Sequence, residues 1–151
     1  MFYIGIDPGQ SGAVAVINKD RVILGLYDYP GDETQAASLI RDIVGPIQQH
    51  VAVIEKVHAM PKQGVSSTFK FATNYGIWKG ILAAYQIPFT EARPQLWQKG
   101  VIAKAQDKKP AVAAAGRMFP SAELFGPRGG AKDGRADALL IADYCRRLYI
   151  K

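Results

Sequence analysis

The chain has 151 residues, 48% of them hydrophobic, with 19 Lys and Arg against 13 Asp and Glu. This is enough for one domain that buries roughly two-thirds of its unfolded surface, and a single domain over 1–151 is expected. No apolar run approaches about 18 residues and no basic stretch leads into a shorter one, which argues against a membrane span or a secretory signal and predicts a soluble, cytoplasmic protein; the lone Cys145 excludes an internal disulfide and fits no zinc spacing.

In chain order, Phe2 to Asp7, Gly12 to Asn18 and Val22 to Tyr29 are short β-branched or aromatic runs broken by Gly, Pro and Asn signals, and they predict three successive antiparallel strands. Asp32 to His50 then carries Ala36, Leu39, Ile40, Ile43, Val44 and Ile47 at helical spacing, with Gly45-Pro46 predicting a kink or break. "VAVIE", Val51 to Glu55, is too continuously apolar for a surface strand and belongs in the centre of the sheet.

The next segment, "KVHAMPKQGVSS", has loop composition, and Ser66 or Ser67 is placed to cap a helix over about Thr68 to Tyr85. That helix contains Gly76 and Gly80, each costing about 1 kcal/mol against Ala, so close packing on that face is expected. Ile87 to Ala92 reads as a fifth strand, Pro94 to Lys99 as a short helix opened by Pro, and Lys108 to Phe119 as a basic helix. A flexible "GPRGGAKDG" loop leads to a closing helix over Arg135 to Tyr149, where Cys145 packs.

Charge divides the chain. Residues 1 to 55 hold three basic and seven acidic residues, a net of −4, while residues 56 to 151 hold sixteen and six, a net of +10. In the second part the basic residues alternate with Phe69, Phe71, Trp78, Trp97, Phe119 and Phe125, a combination suited to phosphate contact and base stacking, although several of these aromatics must be core.

Four carboxylates stand out. Asp7 interrupts an apolar run, Glu55 ends the buried strand, and Asp133 and Asp137 lie four apart where the last helix begins. Taken singly, Asp7 is a turn former, Glu55 a strand-end residue and Asp133 an N-cap. If the fourth strand lies parallel beside the first, Asp7 and Glu55 become neighbours, and a helix crossing those strands adds Asp137 with Asp133 one turn earlier. Converging carboxylates repel unless cations sit between them, and oxygen-only ligands call for a hard ion, Mg²⁺ or Mn²⁺. Two such ions suit a phosphodiester displacement.

"IGIDPGQSGA", "VIEKV" and "KDGRADALLIA", in that order and spanning nearly the whole chain, resemble the RuvC family of Holliday-junction resolvases. The resemblance implies an α/β, ribonuclease H-like fold with a central mixed five-stranded sheet flanked by helices. It also implies a metal-dependent endonuclease that cuts four-way junctions with two Mg²⁺ per site, Mn²⁺ substituting, and leaves 5′-phosphate and 3′-hydroxyl ends. Asp7, Glu55 and Asp137 match the family's metal-binding acids. Many members space the last two acids three apart, a position that is Gly134 here, so Asp133 takes that role only if the helix start is shifted.

The same resemblance places "HAMPKQGVSSTF" at the loop that enters the junction, with His58 where an aromatic often stands; His58, Lys62, Phe69 and Lys70 are its DNA-facing candidates. Lys108, Lys109 and Arg117 are candidates for backbone phosphates, Lys104 and Lys132 for positions near the active site. A homodimer matching the two-fold junction is expected, paired through a small-residue face of Thr73, Gly76 and Gly80, unless that face packs on the chain's own sheet. The short chain and the "PQLWQK" run look like phage or prophage versions. A two-domain ATP-binding protein would need over twice this length, so no nucleotide cofactor is expected. A non-catalytic branched nucleic-acid binding module and an RNA-processing nuclease of the same fold are the remaining alternatives.

Overall fold

The computed structural model describes residues 1–45, 49–56, 64–102 and 107–150. Five strands, β1 (Phe2–Asp7), β2 (Ala13–Ile17), β3 (Ile23–Asp28), β4 (His50–Glu55) and β5 (Phe89–Ala92), form one sheet in the order β3-β2-β1-β4-β5. The first three pair antiparallel, whereas β4 runs parallel to both β1 and β5. The mixed five-stranded α/β architecture is therefore as expected from the sequence.

Helices cover both faces, which is why β1, β2 and β4 are apolar almost throughout. Ile4, Ile6, Val14, Val16, Ala52 and Ile54 pack against α1 (Glu33–Val44) and α2 (Val65–Ala84), with Ile40 and Trp78 filling the layer. The alternate residues Tyr3, Ala13, Ala15, Ile17, Val51 and Val53 face α3 (Pro94–Gln98), α4 (Pro110–Met118) and α5 (Asp133–Tyr149), around Trp97 and Phe119. Trp78, Trp97 and Phe119 are thus core aromatics. Cys145 is buried too, its Sγ 3.5 Å from the Val51 carbonyl, and burial pushes its thiol up to about 12.

Two glycines let α5 lie on the sheet. A Cβ built on Gly5 would stand 2.2 Å from both Ala138 O and Ala142 N, and one on Gly134 would stand 2.1 Å from Ser11 O. At the far end of α5 the buried Asp143 carboxylate binds Arg21 of the β2–β3 turn together with Arg146 and Arg147. Both ends of the helix are therefore tied to the β1–β2–β3 meander.

Several boundaries differ from the sequence expectation, each for a backbone reason. The α2 helix starts at Val65, three residues early, because the Gly64 carbonyl accepts the Thr68 N–H; Ser66 and Ser67 lie inside the first turn and neither is the cap. The Ile87 N–H closes the end of α2 on Leu82 O, and β5 begins only at Phe89. Likewise α5 begins at Asp133, since the Arg135 and Ala136 N–H groups both reach Lys132 O, so Lys132 rather than Asp133 is the N-cap. The break expected at Gly45-Pro46 falls at Gly45, which ends α1 with φ 47°. Among the described residues no helix is long and apolar enough to cross a membrane.

Candidate active site

Strand alternation decides where the acids point. On β1, Tyr3 faces the α5 side and Gly5 and Asp7 follow in phase; on β4, Val51 and Val53 are followed by Glu55. The parallel register pairs Ile6 with Ile54, one residue before each acid, so Asp7 and Glu55 leave adjacent strands side by side. Because α5 crosses the same face through the close approach at Gly5, it adds Asp137 from its second turn.

Burial and mutual repulsion dominate the electrostatics. Burial raises Asp7 above the usual carboxylate range, opposed by the Gly9 N–H, which donates to Asp7 Oδ1 at 3.0 Å. Glu55 is pushed up to about 8 by burial and then by the charges of Asp7 and Asp137. Asp137 is pushed up to about 7 by burial and then by Asp7 and Asp133. Asp7, Glu55 and Asp137 therefore feel one another where solvent is partly excluded, the exposed Asp133 acts on Asp137, and among the described residues Asp7, Glu55 and Asp137 have no ion-pair partner. Unneutralised carboxylates with only oxygen donors are the donor set a hard divalent cation takes. In this conformation no three His, Cys, Asp or Glu side chains among the described residues are grouped so as to hold a metal ion; drawing them together requires the positive charge that would offset their repulsion.

Asp133 differs from the other three. It is 57% exposed, and its Oδ2 lies 2.5 Å from Lys109 Nζ at the start of α4. The neighbouring position cannot carry the acid: a side chain at Gly134 would run into the Ser11 carbonyl. A four-residue spacing of the last two acids follows from this contact. Asp133 and Asp137 border a cleft of about 300 Å³ that Lys109 also lines, while Asp133 and Lys132 border a second, of about 430 Å³, that reaches Gln10 and Ser11. A third, of about 350 Å³, continues from Gln10 and Ser11 to Ser66, Ser67, Lys70 and Phe71. Asp133 and Asp137 thus border open depressions that share Asp133, Gln10 and Ser11 in their walls, a shape suited to a polymer.

The remaining candidates are dispersed around these clefts. Phe69 is 72% exposed, whereas Phe71 is half-buried. Lys108 is exposed; Arg117 lies 3.6 Å from Asp107, and Lys132 lies 2.5 Å from Asp28, which also takes Arg135. The paired guanidinium and ammonium hold the Asp28 carboxyl below the usual range, Arg135 contributing most. His58, Lys62 and Lys104 lie outside the described residues. Thr73, Gly76 and Gly80 are exposed, and among the described residues nothing stands within 4 Å of a Cβ on either glycine, so this face does not pack on the five-stranded sheet. Sequence reasoning missed Asn74, whose only signal is an amide in a helix interior, and Asp28, whose strand-end position is unremarkable.

No family model matches the chain, and no curated protein matches it. Solved structures do. Thermus thermophilus RuvC in complex with a Holliday junction substrate superposes with a TM-score of 0.70 at 14% identity, covering 95% of this chain and 92% of that one. A second Thermus thermophilus RuvC structure gives 0.65 at 14% identity, covering 98% and 96%. At this identity the likeness is one of fold, and the chain has the RuvC, ribonuclease H-like fold over nearly its whole length.

Proposed function

We propose that this chain is a metal-dependent, structure-specific endonuclease that cuts four-way DNA junctions, working as one compact domain in a homodimer. The observation that carries the reading is the meeting of Asp7, Glu55 and Asp137 on one face of a RuvC-like sheet, half-buried, mutually repelling and, among the described residues, without a basic ion-pair partner. These three would hold Mg²⁺ or Mn²⁺, with Asp133 at the edge of the set. Two such ions, when bound, supply charge stabilisation to the attacking and leaving oxygens of a phosphodiester displacement.

The chain's own part is to place the carboxylate oxygens. The Gly9 N–H holds one oxygen of Asp7, and the buried Val53 and Ala138 lie on the same face of the sheet as the acids. Lys109, Lys132 and Lys70 border the clefts where a strand would lie, and Lys108 and Arg117 extend the basic surface along α4. Backbone neutralisation of this kind makes affinity fall steeply with salt, by about 0.9 in slope for each phosphate met on duplex DNA. Phe69, exposed at the start of α2, is placed to stack on a base freed at the branch point. The exposed face of Thr73, Gly76 and Gly80 would take the second copy, giving two sites for the two strands a junction must have cut.

The deciding experiment incubates the purified protein with labelled four-way junction, fork, linear duplex and RNA–DNA hybrid, with and without Mg²⁺. Paired cuts in the junction, dependent on Mg²⁺, are expected. Binding without any cleavage would point to a non-catalytic module, and preferential cutting of the hybrid to an RNA-processing nuclease.

A further inference from the structure

Asn is a poor choice for a helix interior, because its amide competes for backbone hydrogen bonds. Asn74 nevertheless occupies the middle of α2, buried to 4% exposure against the turn that follows β1. Its Nδ2 donates to Pro8 O at 2.5 Å and to Gly9 O at 3.2 Å. The orientation of the amide is dictated by these partners, since the opposite rotamer would set Oδ1 against two carbonyl oxygens. One turn earlier on the same helix, Phe71 covers the turn, its Cε2 3.6 Å from where a Gly9 Cβ would lie.

This turn is also the one that holds Asp7. The Gly9 N–H donates to Asp7 Oδ1 at 3.0 Å, and Pro8 between them has no N–H of its own. A chain of hydrogen bonds therefore runs from α2, across a separation of 66 residues, through the Pro8–Gly9 peptide group, whose carbonyl accepts from Asn74 and whose N–H donates to the carboxylate. We propose that Asn74 is a positioning residue: by clamping Pro8 and Gly9 it fixes the direction of the Gly9 N–H and hence the rotamer in which Asp7 meets a divalent cation. It touches neither substrate nor cation. The proposal rests on the nuclease reading for the task Asp7 performs, while the hydrogen-bond chain itself is independent of that task.

Partners that orient a metal ligand typically change metal affinity or activity 10–100-fold when removed. The test compares the full-length wild type with Asn74→Ala and Asn74→Ser by three measurements: Mn²⁺ binding in calorimetry, the Mg²⁺ midpoint of junction cleavage, and the melting temperature without metal. We expect about tenfold weaker Mn²⁺ binding and an equal rightward shift of the Mg²⁺ midpoint, with much of the rate regained at saturating Mg²⁺. A residue needed only for folding would lower the melting temperature and leave both metal readings unchanged in folded protein, and that result would overturn the proposal. Hydrogen exchange at the wild-type Gly9 amide decides the matter if neither variant folds: protection upholds the chain of bonds, and exchange at the rate of a free chain overturns it. A wild type that binds Mn²⁺ with this variant-dependent loss but cuts nothing would sink the nuclease reading and leave the positioning role standing.

Discussion

Lys109 Nζ and Asp133 Oδ2 stand 2.5 Å apart, joining the first turn of α4 to the first turn of α5 beside the carboxylate cluster. Both side chains are about half exposed. An exposed pair of this kind contributes at most about 1 kcal/mol to stability. The pair stands at the rim of the cleft that Asp137 also lines. Lys109→Met should leave the melting temperature within about 2 °C of wild type yet slow junction cleavage about tenfold or more, because the cation paired with Asp133 at the rim of that cleft is gone. Unchanged cleavage in the folded variant would reduce Lys109 to a surface lysine.

Asp7→Asn and Glu55→Gln should abolish Mg²⁺-dependent cleavage and leave junction binding nearly intact, since the acids repel phosphate rather than hold it. Both should also raise the melting temperature of the metal-free protein at pH 8, because each removes one charge from a buried, repelling set. Wild-type cleavage by either variant would dismiss the metal-site reading.

The raised acids imply a pH dependence of stability. Unfolded, Glu55 and Asp137 titrate near 4.5 and 3.8, but folded they titrate near 8 and 7. Between these values the folded state binds more protons than the unfolded one, so stability is fully present below about pH 4 and is lost as pH rises toward 8. Asp28 and Glu91, whose folded values are lowered by their ion pairs, act with the opposite sign, their stability being lost as pH falls below the ordinary carboxylate range. In EDTA the melting temperature should therefore drop by about 5 °C or more from pH 5.5 to 8.5, and Mg²⁺ should restore it. A flat or rising profile without metal would contradict the coupling of the acids.

Asp7, Glu55 and Asp137 stand out singly from strand and helix spacing, but their meeting is legible only on the condition that the fourth strand lies parallel beside the first, which the β1–β4 register fulfils. Lys109 with Asp133 and Asn74 with Pro8 are not legible, since these contacts join residues 24 and 66 positions apart and depend on where two helices dock. The start of α2 was missed for a related reason: a backbone carbonyl at Gly64 does what Ser66 or Ser67 was expected to do. The spacing of Asp133 and Asp137 is a mixed case. Its four-residue interval is plain in the sequence, but the reason lies in the Ser11 carbonyl lying against Gly134.

That contact makes a prediction about moving the acid. Gly134→Asp in an Asp133→Gly background gives the three-residue spacing that many RuvC-like chains have, yet a Cβ there would lie 2.1 Å from Ser11 O and 2.8 Å from Gly12 Cα. The backbone of the β1–β2 turn, not a flexible side chain, would have to move. The double variant should lose several degrees of melting temperature and regain no cleavage over Asp133→Gly alone. Restored cleavage at normal stability would show that the turn yields easily.

The exposed face of α2 yields the sharpest test of assembly. Among the described residues nothing stands within 4 Å of a Cβ on Gly76 or Gly80, although each glycine costs the helix about 1 kcal/mol relative to Ala, so packing against those residues does not account for the small side chains. Thr73, Gly76 and Gly80 follow one helical face, with Phe69 exposed one turn before Thr73, and a second copy could approach closely along it. Gly80→Leu should fold well, gaining helix propensity and meeting no neighbour, so any defect it shows belongs to association. The wild type should sediment as a dimer at micromolar concentration and make paired cuts. Gly80→Leu should sediment as a monomer that nicks one strand of a junction or leaves it uncut. A wild type that remains monomeric, with or without junction DNA, would remove the dimer and with it the explanation for the glycines; a dimer that Gly80→Leu leaves intact would move the interface to another face.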